Sequence, residues 1–272
     1  MRAKLFTIAS FLTVAAAGAS QAQVSNDEWL DRCDRNRDWE DREVHCEVRV
    51  SGFRPGRGAL HFDPSGNGGV RIEGWDRDSV AVHARIRAQA RAVADARDLT
   101  RGVRIARAGN AITADLPETG RSESVSVELV VFVPRQSDIT AETVNGPLSA
   151  RNVYGSIDLQ TQNGPLALEG VGGDVRARTV NGPLSVRLTG ARWEGAGLDA
   201  ETSNGPATVF IPENYSAELE TGTRNGPLNA DFPLTVTFEG RRLSRTFTTT
   251  LGRGGAPLRV MTSNGPLSLR RI

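Results

Sequence analysis

Side chains able to do chemistry are sparse in this chain, and their spacing argues against catalysis. Three histidines, His45, His61 and His83, show no ligand-like separation and read as surface or structural residues. The run Asp34-x-Asn36-x-Asp38 starts as a calcium loop does. Trp39 then stands where that loop needs its sharp-turn glycine, and His45 where it needs its final bidentate acid. There is no Gly-x-Ser-x-Gly, no phosphate loop and no His-Glu-x-x-His. Cys33 and Cys46 are the only cysteines. In an exported chain they read as one disulfide, which would stabilise by roughly 3 kcal/mol; a metal pair or two free thiols are the alternatives. No catalytic residue, cofactor or metal site is assigned, and the chain is expected not to be an enzyme.

The elements that would have to position any site come from a repeat. Thr-x-Asn-Gly-Pro occurs six times, with its asparagine at Asn145, Asn163, Asn181, Asn204, Asn225 and Asn264 and its threonine two places earlier. The first three copies are 18 residues apart, a period that marks a repeat protein. A looser turn, Tyr154-Gly155 and then Gly172-Gly173, falls between the corners, so each half-repeat is one turn and one strand. Apolar pairs recur every nine residues: Leu148 and Ala150, Ile157 and Leu159, Leu166 and Leu168, Val175 and Ala177, then Leu184, Val186 and Leu188. Alternation of this kind predicts half-buried strands sharing one core.

Asn-Gly is a strong hairpin signal. Here the next residue is proline, which has no N–H to return across a two-residue hairpin. The sequence therefore predicts an all-β, single-stranded β-solenoid of about 18 residues per coil. Asparagines would stack along the corners, and Asn and Gly would supply left-handed dihedrals there. Outward positions alternate in character. Arg151, Glu169 and Arg187 fall in one column, which reads as a salt-bridge ladder. A polysaccharide-cleaving β-helix enzyme would instead need clustered carboxylates or a basic residue on one face, and is the least favoured class.

Four segments are expected along the chain. Residues 1–22 carry Arg2 and Lys4, an apolar run of 13 from Leu5 to Ala17 and a small-residue cleavage site at Ser20-Gln21-Ala22, which predicts a signal peptide. The run is too short to remain as a membrane span. Residues 23–47 are a charged lead-in holding both cysteines. Residues 48–135 are strand-rich, with one short helix over Ala88–Leu99, and should begin or cap the stack. Residues 136–272 are the repeat region. Taking Arg2 and Lys4 off the 33 basic residues leaves 31 against 32 acids, and no basic face points to nucleic acid.

After Leu188 the period slips. Extra length falls around Ala191–Gly197, presenting Trp193, and again over Leu234–Thr249, which reads as two strands about Glu239-Gly240 carrying Arg241 and Arg242. Trp193 is either a binding aromatic or packing over the stack; the second excursion either contacts a partner or covers the side. The chain closes on Arg270-Arg271-Ile272, a finish suited to an exposed end.

The Thr-x-Asn-Gly corners, with Gly74-Trp75-Asp76 and Leu251-Gly-Arg-Gly-Gly255, resemble the bacterial putative-adhesin family, also described as a domain of unknown function. The resemblance is best from about Asp138 to Arg271. It implies an exported or membrane-tethered β-solenoid with a non-enzymatic surface or envelope role. The expected function is an adhesin-like or envelope interaction protein that presents loops on a rigid scaffold, periplasmic or at the cell surface, with a protein or glycan partner. The alternative is a periplasmic accessory protein in envelope-stress signalling. Trp193, Arg241 and Arg242 are the candidate partner contacts, and loops are where such residues concentrate.

Overall fold

The computed structural model describes residues 26–33, 42–232 and 246–272. The predicted signal peptide and Arg241 and Arg242 lie outside the described residues. In chain order come helix α1 (residues 26–33), β1 (Glu43–Phe53), β2 (Leu60–Asp63), β3 (Val70–Trp75), β4 (Val80–Ala90), helix α2 (Val93–Gly102), β5 (Arg104–Ala108), β6 (Ala111–Asp115) and β7 (Ser124–Pro134). The repeat region supplies β8 (Ile139–Asn145), β9 (Leu148–Arg151), β10 (Tyr154–Asn163), β11 (Leu166–Glu169), β12 (Gly172–Asn181) and β13 (Leu184–Arg187). It continues with β14 (Gly197–Asn204), β15 (Ala207–Ile211), β16 (Ala217–Asn225), β17 (Leu228–Ala230), β18 (Thr246–Leu251), β19 (Pro257–Asn264) and β20 (Leu267–Arg271).

These strands form two mixed sheets of ten, and this corrects the expectation of a single-stranded β-solenoid. One sheet has the order β1-β4-β7-β3-β9-β11-β13-β15-β20-β17, the other β18-β16-β19-β14-β12-β10-β8-β2-β6-β5. The reason is that each 18-residue period holds two strands, and the Asn-Gly corner sends one to each sheet: β8 and β9 belong to different sheets and do not pair. The ends depart further from simple winding. β1, β4 and β7 pair antiparallel, as do β5 with β6 and β16 with β18.

Within the repeat, pairing is parallel and keeps identical positions in register: Ile157 opposite Val175, Leu159 opposite Ala177, Leu166 opposite both Leu148 and Leu184. Every apolar residue of the predicted pairs is buried, and both sheets contribute to one core. Burying a Leu or Ile side chain is worth roughly 2 kcal/mol, so the alternation itself drives the sheets together.

The corner motif is explained residue by residue. All six threonines are buried, and each hydroxyl donates to a glycine carbonyl of the neighbouring corner; Thr179, for example, donates to Gly164 at 3.0 Å. The asparagine amides form a ladder: Asn163 donates to Asn145 Oδ1 at 2.9 Å and Asn181 to Asn163 at 2.8 Å. The backbone ladder runs through the Gly164 and Leu166 amides, and Pro165 between them contributes its carbonyl. None of the six corner glycines has positive φ, which corrects the left-handed reading. Glycine is needed because a Cβ on Gly164 would overlap the Gly146 carbonyl oxygen. A seventh corner, Asn67-Gly68, accepts from the Asn145 amide at 3.0 Å, so the ladder begins before the regular repeat does.

Between Asn67 and the first regular corner, the chain inserts β3 to β7 and α2. The helix covers Val93–Gly102 and not Ala88–Leu99. Ala88 and Ala90 are fully buried in β4, where pairing with β1 and β7 overrides their helix propensity. Helix α2 packs on β1 and β4, and the Arg49 guanidinium donates to the carbonyls of Thr100 and Val103 at its C-terminal end. Cys33 of α1 and Cys46 of β1 form a disulfide. Asn26 bridges α1 to the sheet, its amide 2.6 Å from His83 Nδ1 and its Oδ1 accepting from Arg85 Nε at 3.1 Å. Burial, and then the Arg85 charge, hold the His83 imidazole below its ordinary pKa.

At the other end the last repeat does not finish the stack. β19 sits between β14 and β16, and β20 between β15 and β17, so Arg270 is not on a terminal strand. The charges on the outer face are complementary in this order. With β14 beside β16, Asp199 would face Glu220. The inserted strand places Arg259 opposite both, 2.7 Å from Asp199, 3.7 Å from Glu201 and 3.8 Å from Glu220. The column then reads Asp158, Arg176, Asp199, Arg259, Glu220 across adjacent strands, with signs alternating throughout.

Candidate functional site

The chain returns between sheets along a second edge, opposite the Asn-Gly corners. Here the Thr-x-Asn-Gly-Pro motif has no counterpart, and what stacks from layer to layer is a glycine column of Gly155, Gly173 and Gly195. The returns carry Asn152, Gly170, Gly190 and Asn214, each with φ between 56° and 75°. The turn type is shared while the residues differ, because Asn and Gly both tolerate this region.

The first two returns are short. The third, between β13 and β14, holds the Ala191–Gly197 excursion, and Trp193 folds down onto the preceding layer. It is 6% exposed, and its indole Nε1 donates to the Gly173 carbonyl at 3.1 Å. Trp193 is therefore a wall of the stack and offers no free ring face. Beside it, residues 212–216 and 252–256 form two further loops.

Together the three loops enclose a depression of about 1070 Å³ whose lining includes Tyr154, Thr189, Arg192, Glu194, Asn214 and Arg253. Ser216 organises it. Arg192 forms a parallel bridge with Ser216 on one side, the Ser216 amide donates to the Ala191 carbonyl at 2.8 Å, and the Arg253 amide donates to Ser216 Oγ at 3.2 Å. Two arginines thus flank one serine. Tyr215 beneath them is 3% exposed. Burial, then the Glu194 carboxylate and Tyr154, raise its pKa well above the ordinary phenol value, so the hydroxyl stays a protonated donor.

The other sequence candidates lie elsewhere. The Arg151–Glu169–Arg187 column is in register on the outer face of its sheet. Arg151 and Glu169 are 2.8 Å apart, while Arg187 lies over the Phe210 ring at 4.4 Å from its centroid. These partners leave the column without a converging acid pair. His61 Nδ1 is 2.9 Å from Thr140 Oγ1 and His45 Nδ1 3.1 Å from Thr100 Oγ1, so the histidines sit in separate local contacts. Among the described residues no group of three or more His, Cys, Asp or Glu could hold a metal, and no helix is long and apolar enough to cross a membrane.

Sequence reasoning singled out Trp193 and the Leu251–Gly255 motif but did not bring them together, and it missed Arg192, Asn214, Tyr215 and Arg253. The available signal was the second turn, half a period after each Asn-Gly corner; following it through the slipped repeats leads to residues 189–194 and 214–216.

No family model matches the chain, and no curated protein matches it. Among solved structures it is similar to a putative cell adhesion protein from Clostridium sporogenes, at 10% identity over 84% of this chain and 100% of that one, with a TM-score of 0.40. It is similar also to a putative adhesin from Bacteroides fragilis, at 8% identity over 83% and 97% with a TM-score of 0.35. A third is a putative lipid binding protein from Parabacteroides distasonis, at 10% identity over 81% and 96% with a TM-score of 0.26. Likeness at these scores transfers neither function nor ligand.

Proposed function

We propose that this chain is a non-catalytic, adhesin-like binding protein of the cell exterior or envelope, and that its partner contacts are made at the return edge. The observation that carries this reading is the depression of about 1070 Å³ built by three loops that add length without adding a corner. Stacking accounts for every residue of the Thr-x-Asn-Gly-Pro motif and for the buried strand positions. Trp193 packs on the layer below, but stacking does not account for the exposed side chains that the loops at 191–197 and 252–256 carry, Arg192, Glu194 and Arg253. Loops held by a rigid sheet are suited to recognition, and the depression is as large as the upper end of small-molecule clefts, about 1,000 Å³. The signal-like residues 1–22 support placement outside the cytoplasm.

The test is binding of the labelled mature chain to an array of extracellular glycans and matrix proteins, compared with Thr189→Trp. Thr189 is exposed on the rim, so the indole fills the depression without disturbing the core. Selective binding lost in Thr189→Trp is expected. Binding unchanged by that substitution, or no binding beyond a control protein, would overturn the reading.

A further inference from the structure

We propose that the depression binds an anionic glycan, a sugar chain bearing carboxylates, with Arg192 and Arg253 gripping a carboxylate and the remaining rim groups reading hydroxyls. This rests on the preceding assignment of the return edge as the binding surface.

Arginine pairing elsewhere in the repeat carries the inference. From residue 138 onward, every other described arginine has a partner. Arg151, Arg176, Arg178, Arg259, Arg270 and Arg271 are in ion pairs, Arg187 lies over Phe210, and Arg224 is likewise engaged. Among the described residues, the Arg192 and Arg253 side chains alone in that region make no ion pair, hydrogen bond or ring contact. They line the same depression and flank the same serine. A guanidinium presents a planar fork matched to a carboxylate, and two such forks, unpaired and lining one depression, are suited to receive one.

The rest of the lining selects the kind of anion. Its one acidic side chain, Glu194, leaves the depression a balance of one positive charge, since Tyr215 stays neutral. Glu194, Thr189 and Asn214 are exposed hydrogen-bonding groups, suited to sugar hydroxyls. An acidic peptide of mixed sequence would also bring apolar side chains, and a purely acidic one would bring few hydroxyls for these groups to read. Among the described residues, none of the exposed large apolar side chains lies in the depression, and its Trp193 and Tyr215 are buried. A polyhydroxylated carboxylate fits better than a peptide.

The experiment is calorimetric titration of the mature chain with trigalacturonate, with neutral galactotriose and with a triglutamate peptide. Wild type should bind trigalacturonate, and Arg192→Gln with Arg253→Gln should weaken it by at least about tenfold. Arg192→Lys with Arg253→Lys, which keeps charge but loses the fork, should fall between. Both arginines are exposed, so unchanged thermal unfolding is expected and is checked alongside. The inference is overturned if wild type does not bind trigalacturonate, if the Gln pair binds it undiminished, or if galactotriose or triglutamate binds as tightly. If array binding is still lost in Thr189→Trp in any of those cases, the anionic-glycan inference alone falls; if array binding ignores Thr189→Trp, the site itself falls.

Discussion

The two edges of this molecule turn the same chain between the same sheets, and they do it differently. At the Asn-Gly edge each layer repeats one set of bonds: threonine to the neighbouring glycine carbonyl, asparagine to asparagine, glycine amide to the next asparagine carbonyl. At the return edge a positive φ is common, supplied by Asn152, Gly170, Gly190 and Asn214, and the bonds between layers are mainly backbone ones, such as the Asn152 amide to the Glu169 carbonyl and the Gly170 amide to the Arg187 carbonyl. One edge is held by repeated side-chain contact between layers, so its residues must be identical. The other is held by turn geometry and by bonds that are mainly backbone to backbone, which do not specify side chains, so its loops are free to lengthen. The depression forms on the second edge for that reason.

Glycine substitution should separate the two edges most sharply. Gly164→Ala places a Cβ against the Gly146 carbonyl, and neither backbone can yield without shifting a layer. It should cost about 3 kcal/mol, near the upper end for overpacking. Gly190 has φ of 75° and open space where its Cβ would go, so Gly190→Ala should cost only about 1 kcal/mol of backbone strain. Chemical denaturation of both variants measures the difference, and equal losses would dissolve the contrast between edges.

Asparagine truncation should give a smaller, graded effect along the first edge. Asn163 bonds to Asn145 and to Asn181, whereas Asn225 bonds only to Asn264 within the ladder. Asn163→Ala should cost about 1 kcal/mol and Asn225→Ala about half that. Asn264, last in sequence, is interior, lying between Asn204 and Asn225. Its alanine variant should behave like Asn163→Ala in the same denaturation series, and behaving like Asn225→Ala would contradict the observed strand order.

What was legible in the sequence is what depends on local repetition. The alternation from Leu148 to Leu188 identified the core positions, and the proline after Asn-Gly correctly excluded hairpins between β8 and β9. The two-sheet organisation was not legible, because nothing in an 18-residue period states that its two strands part company at the corner. The β19 insertion brings Arg259 to Asp199, Glu201 and Glu220, partners 39 to 60 residues away in sequence, which no local pattern announces. Asn67 escaped notice because Ser65 and Gly69 stand where the motif has threonine and proline. Of the site, Trp193 was conspicuous and turned out to be packing. Arg192 and Arg253 were unremarkable among many arginines until pairing of the others left them over.

The central claim is that the Asn-Gly edge is scaffold and the return edge is the binding surface. Amide chemical-shift mapping of the isotope-labelled mature chain during titration with trigalacturonate tests it most directly. The account predicts perturbations confined to residues 189–194, 214–216 and 252–256, with the corners from Asn145 to Asn264 unmoved. Perturbations centred on those corners, or on the Arg151–Glu169–Arg187 column, would contradict it.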